Sequence, residues 1–244
     1  MVTAPPAKVR GARAFLADTA FVFAAQVLTK LRGLLTMPLV IRGLGTEAFG
    51  TWSQTLAFTM LVMAVVGLNL HHSLIRFIAA DRSIAGKAYG TTLFVSLASS
   101  SVFCLALGLG ASPAMTDAMV GTHDQRILRL GLAIVVSSTI RSLNLNLYRA
   151  TDRIKLRSVV DFAGSMLELA AIIVIVLLGH GIVEVLLALA LIGGAIALVT
   201  TIHGHRIAPI KWVDRGLLRD ALRYSAPLIP AAIAMWILDR SDRF

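Results

Sequence analysis

Charge is what this chain has least of. Asp, Glu, Lys and Arg make up 15% of its 244 residues, where an ordinary soluble domain carries about a quarter, so the composition excludes a water-facing globular surface. The single cysteine, Cys104, lies inside an apolar run, which excludes a disulfide framework and a cysteine-rich metal centre. No nucleotide-binding glycine loop, nucleophile elbow or HExxH motif stands anywhere in the sequence. ATP hydrolysis and the chemistries those motifs serve are therefore not expected, and the chain reads as no enzyme. His71, His72, His203 and His205 lack nearby cysteines and inward acids, so neither a metal nor a cofactor is assigned to them. Acids are the scarcer sign, 13 against 23 Lys and Arg, for a net charge of +10. That excess is dispersed among short segments and not gathered on one face, and nucleic acid is not a predicted partner.

What the chain has is hydrophobicity in blocks: 57% of its residues are hydrophobic and the mean hydropathy is +0.81. A hydrocarbon core of roughly 30 Å takes about twenty apolar residues per helix. Six stretches meet that length: Phe15 to Ile41, Thr51 to Leu70, Tyr89 to Gly110, Leu128 to Tyr148, Val159 to Leu178 and Ile182 to Ile202. The runs are continuous and do not alternate, which argues against a β-barrel. The first block is longer than a signal-peptide core and no polar mature domain follows, so it reads as an uncleaved span. The sequence thus predicts an all-α, polytopic transmembrane helix bundle of six complete spans plus a partial seventh. Residues 1–14 form a basic cytoplasmic N-terminus, 15–203 the six-helix lobe, 204–223 a cytoplasmic amphipathic linker and 224–244 the start of a truncated seventh helix.

The cations fix the predicted orientation. With the N-terminus inside, fifteen Lys and Arg fall on the cytoplasmic side, among them Arg82, Arg153 and Lys211. The opposite loops hold Arg42, Arg126 and Arg129 together with Glu47, Asp117, Asp124 and Glu184, the asymmetry of the positive-inside rule. The short turn Gly179–Gly181 predicts that the fifth and sixth spans form an antiparallel hairpin. From Ile210 to Tyr224 the apolar residues gather on one helical face and the cations mainly on the other, predicting a helix on the inner leaflet. Trp52, Tyr89, Tyr148, Trp212 and Tyr224 stand at predicted span ends, as an aromatic belt would require.

Charges inside spans cost about 2.5–3.5 kcal/mol on insertion scales and ask for a partner or a wet cavity. In the first span Thr19, Gln26, Lys30 and Gly33 share a face and Arg32 lies on another; Lys30 either faces a cavity or snorkels outward. In the fourth, Ser137, Ser138, Arg141, Asn144 and Tyr148 form a polar stripe that predicts an aqueous surface, with snorkelling as the alternative for Arg141. In the fifth, Arg157, Asp161, Ser165 and Glu168 are spaced by four, four and three residues, and Glu168 lies about 16 Å along the helix from Arg157. Glu168 reads either as the ion-pair partner of Lys30 or Arg141 or as a site for a coupling cation or proton, together with Asp161. The seventh segment, Leu228 to Leu238, is followed at once by Asp239, Arg240, Asp242 and Arg243, so either the helix exits early or these charges lie at mid-depth, where Asp239 is a further coupling candidate. On this reading the 244 residues are the N-terminal portion of a longer transporter.

Three segments in order resemble a known family. Arg42-Gly43-Leu44-Gly45-Thr46-Glu47-Ala48-Phe49-Gly50 is similar to a turn after the first helix, and Gly67-Leu68-Asn69 with Ile75-Arg76-Phe77 to a segment after the second. Tyr224-Ser225-Ala226-Pro227-Leu228-Ile229-Pro230, with Asp239-Arg240-Ser241-Asp242-Arg243-Phe244, is similar to the start of the seventh helix and its downstream motif. Together they resemble the oligosaccharide flippases, of O-antigen translocase type, in the multidrug/oligosaccharidyl-lipid/polysaccharide exporter superfamily. The resemblance implies twelve or more helices in two six-helix lobes. It also implies that a polyprenyl-diphosphate-linked oligosaccharide is flipped across the cytoplasmic membrane by alternating access, with this chain supplying the first lobe. Implied partners are the lipid-linked oligosaccharide, membrane lipids and other polysaccharide assembly proteins. Lys30 and Arg141 would then pair with the diphosphate while Gln26 and Asn144 meet sugar hydroxyls. A multidrug antiporter of the same superfamily, which would use acids and aromatics to attract cations, and a non-transporting membrane scaffold are the competing readings.

Overall fold

The computed structural model describes Phe23, Val27, Thr29, Gly33 and residues 36–240, with the backbone alone at Asp239 and Arg240. Among these residues the regular structure is helical, without strands. Of the predicted first span, only Phe23, Val27, Thr29, Gly33 and residues 36–41 are described, all helical, and the helical stretch runs on to Leu44. The second to sixth spans are α1 (Thr46–Val66), α3 (Ala85–Gly110), α5 (Gln125–Ala150), α6 (Ile154–Leu177) and α7 (Ile182–Ile207). A short helix, α4 (Pro113–Val120), is capped by Ser112, whose hydroxyl accepts from the Met115 N–H. It joins α3 to α5 at the end of the bundle opposite the cations.

Helix α5 is the axis. Among the described spans it is the most buried, and of these it packs on α7 most extensively, then on α3, α1 and α6. Two apolar cores form along it. One gathers Trp52, Val62, Val135 and Leu186; the other gathers Leu74, Tyr89, Leu143 and Leu147 toward the basic end. Ser137 and Arg141 lie where the first core gives way to the second. The hairpin of α6 and α7 forms as predicted, turning at Gly179 with φ +75° and closed by Glu184, whose Oε2 accepts from the Gly181 N–H at 3.0 Å.

Three expectations are revised. The second span ends at Val66, where Leu68 and Asn69 both take the left-handed conformation (φ 48°), a costly geometry for side chains with a Cβ. The chain re-forms at once as α2 (Leu70–Ala80), which buries Leu70, Leu74 and Ile78, one helical turn apart, against α5. The segment after the predicted second span is thus a packed helix, because three apolar residues four apart suffice once a neighbour covers them.

The linker is the second revision. Pro209 to Lys211 run across α3 at Gly86 and Gly90: a Cβ at Gly86 would stand 2.4 Å from the Pro209 oxygen, and one at Gly90 2.2 Å from the Lys211 oxygen. Only glycine permits this approach. Helix α8 (Arg215–Ser225), capped by Asp214 accepting from the Gly216 and Leu217 N–H groups, buries Ala221 and Ser225 and packs on α2 and α3. Its apolar side therefore rests on protein, held by Ser225 Oγ donating to the Asn69 carbonyl and by Arg76 stacked 4.6 Å over Tyr224.

Third, Tyr89 and Tyr148 are not an interfacial belt. Both rings are fully buried between helices, while Trp212 is exposed. Helix α9 (Leu228–Arg240) then packs on α1, with Trp236 Nε1–H donating to the Ala57 carbonyl at 3.1 Å. By length and composition the run Arg215–Leu238 is itself apolar enough to cross a membrane, longer than the eleven residues read as apolar from the sequence.

Candidate functional site

The polar layer between the two cores is built by Arg141. Its position nine residues from the end of α5, about 14 Å at 1.5 Å per residue, is near the depth of a bilayer midplane. There its guanidinium crosses to α6 and is gripped twice: Nη1 donates to Glu168 Oε1 at 2.7 Å, and Nη2 to Asp161 Oδ1 at 3.0 Å. Nη2 also lies 3.4 Å from the Asp161 carbonyl. The fork shape of arginine, with donors diverging from one plane, is what lets a single side chain serve two carboxylates a helical turn or two apart. Arg141 and Glu168 are largely buried, with side chains 15% and 14% exposed, whereas Asp161 is 48% exposed.

The spacing on α6 makes the grip possible. Asp161, Gly164, Ser165 and Glu168 share a face, and Gly164 and Ser165 are buried there. A Cβ at Gly164 would meet Arg141 Nη2 at 3.0 Å and Ile196 Cδ1 at 2.9 Å. Gly164 is therefore the gap through which the guanidinium reaches both acids.

Arg141 and Glu168 border a cavity of about 230 Å³, closed by Trp52, Thr59 and Met63 of α1, Ser137 and Ser138 of α5 and Gly193 of α7. Glycine at 193 brings α7 against α5, since a Cβ there would be 3.0 Å from Ser137 Oγ. The cavity holds one cation against a deep carboxylate, with a second carboxylate at its margin. Such a site can exchange partners: whatever neutralises the acids loosens the arginine, and an anion that takes the arginine loosens the acids.

Asn144, one turn further along α5, is in a different setting. It is fully buried, its Oδ1 accepts from Tyr89 Oη at 2.8 Å, and its Nδ2 donates to Thr200 and Thr201 hydroxyls at 2.9 and 2.8 Å, with the Ala197 carbonyl at 3.2 Å. Tyr148 reaches the Thr200 carbonyl at 3.4 Å and His203 Nδ1 at 3.0 Å. The stripe read as one aqueous surface thus divides into a cavity lining at Ser137 to Arg141 and a dry network at Asn144 and Tyr148 that ties α3, α5 and α7 together.

Of the seven site residues read from the sequence, Arg141, Asp161 and Glu168 come together and Asn144 stands apart. Gln26, Lys30 and the side chain of Asp239 lie outside the described residues. The sequence reading missed Gly164, although its place between Asp161 and Glu168 at helical spacing was visible. It also missed Thr200 and Thr201, which no pattern in the nearly all-apolar sixth span marks out.

Comparison with known proteins now places the chain. Residues 15–244 match the family described as polysaccharide biosynthesis protein, and the chain belongs to that family. Its fold is similar to that of two solved transporters. It superposes on the outward-facing conformation of a multidrug resistance MATE family transporter of the MOP superfamily with a TM-score of 0.73, at 19% identity over 92% of this chain and 53% of that one. It also superposes on a MOP superfamily transporter from Pyrococcus furiosus, described as having a binding pocket of reverse polarity that suggests a different function. There the TM-score is 0.67, at 16% identity over 91% of this chain and 52% of that one. The chain spans about half the length of both structures. No curated protein matches the sequence. It is a multi-pass membrane protein.

Proposed function

We propose that this member of the polysaccharide biosynthesis protein family forms one lobe of a transporter that flips a polyprenyl-diphosphate-linked oligosaccharide across the cytoplasmic membrane by alternating access. The observation that carries the reading is Arg141 clamped by Glu168 and Asp161 beside a cavity at mid-depth. A diphosphate headgroup needs a cation within a low-dielectric passage, and a clamped arginine supplies one that is shielded when no substrate is present. Neutralisation of Glu168 and Asp161 by a proton or a coupling cation hands the guanidinium to the headgroup; loss of that neutralisation reclaims it. Lys30 and Gln26, on their own polar face of the first span, extend the same role on sequence grounds. Asn144 is left out of the headgroup site, because its amide is occupied within the helix network. The basic end faces the cytoplasm in this scheme, by the positive-inside rule.

A second reading is favoured by one feature. The cavity is lined by Trp52 as well as Glu168, and an aromatic face beside a carboxylate suits an organic cation. The test is to reconstitute the full-length protein in vesicles and compare movement of a fluorescent polyprenyl-diphosphate oligosaccharide with that of a quaternary ammonium dye. Movement of the oligosaccharide, reduced by Arg141→Ala, supports the proposal. Movement of the dye alone, reduced by Glu168→Gln, replaces it with the antiporter reading.

A further inference from the structure

Between α6 and α7 runs a second space, of about 650 Å³, that shares no lining residue with the Arg141 cavity. Its walls are Leu156, Val160 and Leu167 of α6 and Ile196, Val199 and Ile202 of α7. Leu167, Val199 and Ile202 are exposed, so the space opens outward as a groove along the hairpin. Its polar lining collects near one end, where Tyr148, Thr200, His203 and Arg206 stand. Arg206 is exposed at the close of α7 and has no carboxylate partner among the described residues.

We propose that this groove seats one anionic glycerophospholipid of the leaflet at the basic end, with an acyl chain between α6 and α7 and its phosphate against Arg206 and His203. Length decides for an acyl chain. From Leu156 to Leu167 is about 16 Å along α6, which matches one leaflet, half of a hydrocarbon core of roughly 30 Å. A long polyprenyl chain overruns that depth. Charge decides for an anionic headgroup: a guanidinium with no carboxylate partner among the described residues stands at the mouth, beside an imidazole held by Tyr148 at 3.0 Å, and a Lys or Arg near the surface attracts acidic lipids.

The test uses the full-length protein in phosphatidylcholine vesicles containing a minor share of phosphatidylglycerol with a photoreactive group midway along one acyl chain. Cross-links are expected to concentrate on Val160, Ile196 and Val199, and Arg206→Gln should reduce them about five-fold, one surface cation's share of attraction to an acidic lipid. Arg219→Gln, on α8 away from the groove, should leave them unchanged. Ala163→Phe, which fills the groove, should abolish them, and Arg206→Gln keeps the test decisive if that variant fails to fold. Three results each overturn the proposal: equal labelling by a photoreactive phosphatidylcholine, labelling spread evenly over α3, α6 and α7, or displacement of the probe by a polyprenyl phosphate, which would assign the groove to the carrier lipid.

Discussion

Replacing Arg141 with alanine removes a guanidinium that holds two carboxylates and leaves Glu168, only 14% exposed, without that counter-charge. Breaking a buried ion pair by deleting one partner costs about 3–5 kcal/mol, most of it from the charge left behind. For a chain of this size 1 kcal/mol lowers the unfolding temperature by roughly 2–4 °C, so Arg141→Ala should lower it on the order of 10 °C. Glu168→Gln alone keeps a hydrogen-bonding amide and should cost less. The Arg141→Ala/Glu168→Gln double variant should be more stable than Arg141→Ala, because no buried charge is stranded. Asp161→Asn should cost under about 1 kcal/mol, since its carboxylate is half exposed and already wet. Gly164→Val supplies an independent route: its side chain occupies the gap used by Arg141 Nη2 and should reproduce much of the Arg141→Ala loss with both charges still present. Thermal unfolding of the full-length protein in detergent, with membrane abundance measured alongside, reads all five. A double variant whose cost equals the sum of the singles within about 0.5 kcal/mol would show that Arg141 and Glu168 are not coupled, and the clamp would fall.

Three further outcomes follow from the packing. Asn144→Ala takes away the amide oxygen that accepts from the Tyr89 hydroxyl and the amide donor to Thr200 and Thr201, a loss of about 1–3 kcal/mol for a buried polar group deprived of its partner; transport should fall only in step with protein abundance, and a transport loss at normal abundance would give Asn144 a direct role. Gly90→Val forces the Lys211 backbone off α3, so proteolysis between Pro209 and Asp214 should accelerate, and unchanged digestion would refute the strapped linker. On α2, burial first and neighbouring His72 second push the His71 imidazole from its ordinary 6.5 down to about 4. The folded state therefore binds fewer protons than the unfolded chain between those values, and stability should fall as pH drops from 6.5 toward 4. His71→Gln should flatten that decline in an unfolding titration, and an unaltered slope would remove the buried histidine as its cause.

The spans were legible because a bilayer demands about twenty apolar residues in a row, a requirement local enough to be met within one segment. Helix α2 was not, since Leu70, Leu74 and Ile78 are interrupted by His71, His72 and Arg76 and gain meaning only once α5 covers them. Tyr89 and Tyr148 were misplaced for a related reason. A tyrosine at a span end has the same sequence signature whether it faces headgroups or a neighbouring helix. For the site, the four-four-three spacing of Arg157, Asp161, Ser165 and Glu168 revealed the acids, and the polar stripe from Ser137 to Tyr148 revealed Arg141. Their pairing depends on the relative register of α5 and α6, which one sequence does not encode in any readable period.

The central claim is that Arg141 alternates between carboxylates and a headgroup diphosphate. The most direct measurement is surface glycan display per unit of membrane protein in a flippase-null strain complemented with the full-length gene carrying Arg141→Ala, Glu168→Gln or Arg219→Gln. Losing a charge-assisted contact worth about 1.5–3 kcal/mol predicts a roughly 10- to 100-fold drop for Arg141→Ala. Glu168→Gln should also impair display, because the guanidinium is no longer reclaimed, and Arg219→Gln should be silent. Full display by Arg141→Ala at normal abundance would contradict the account.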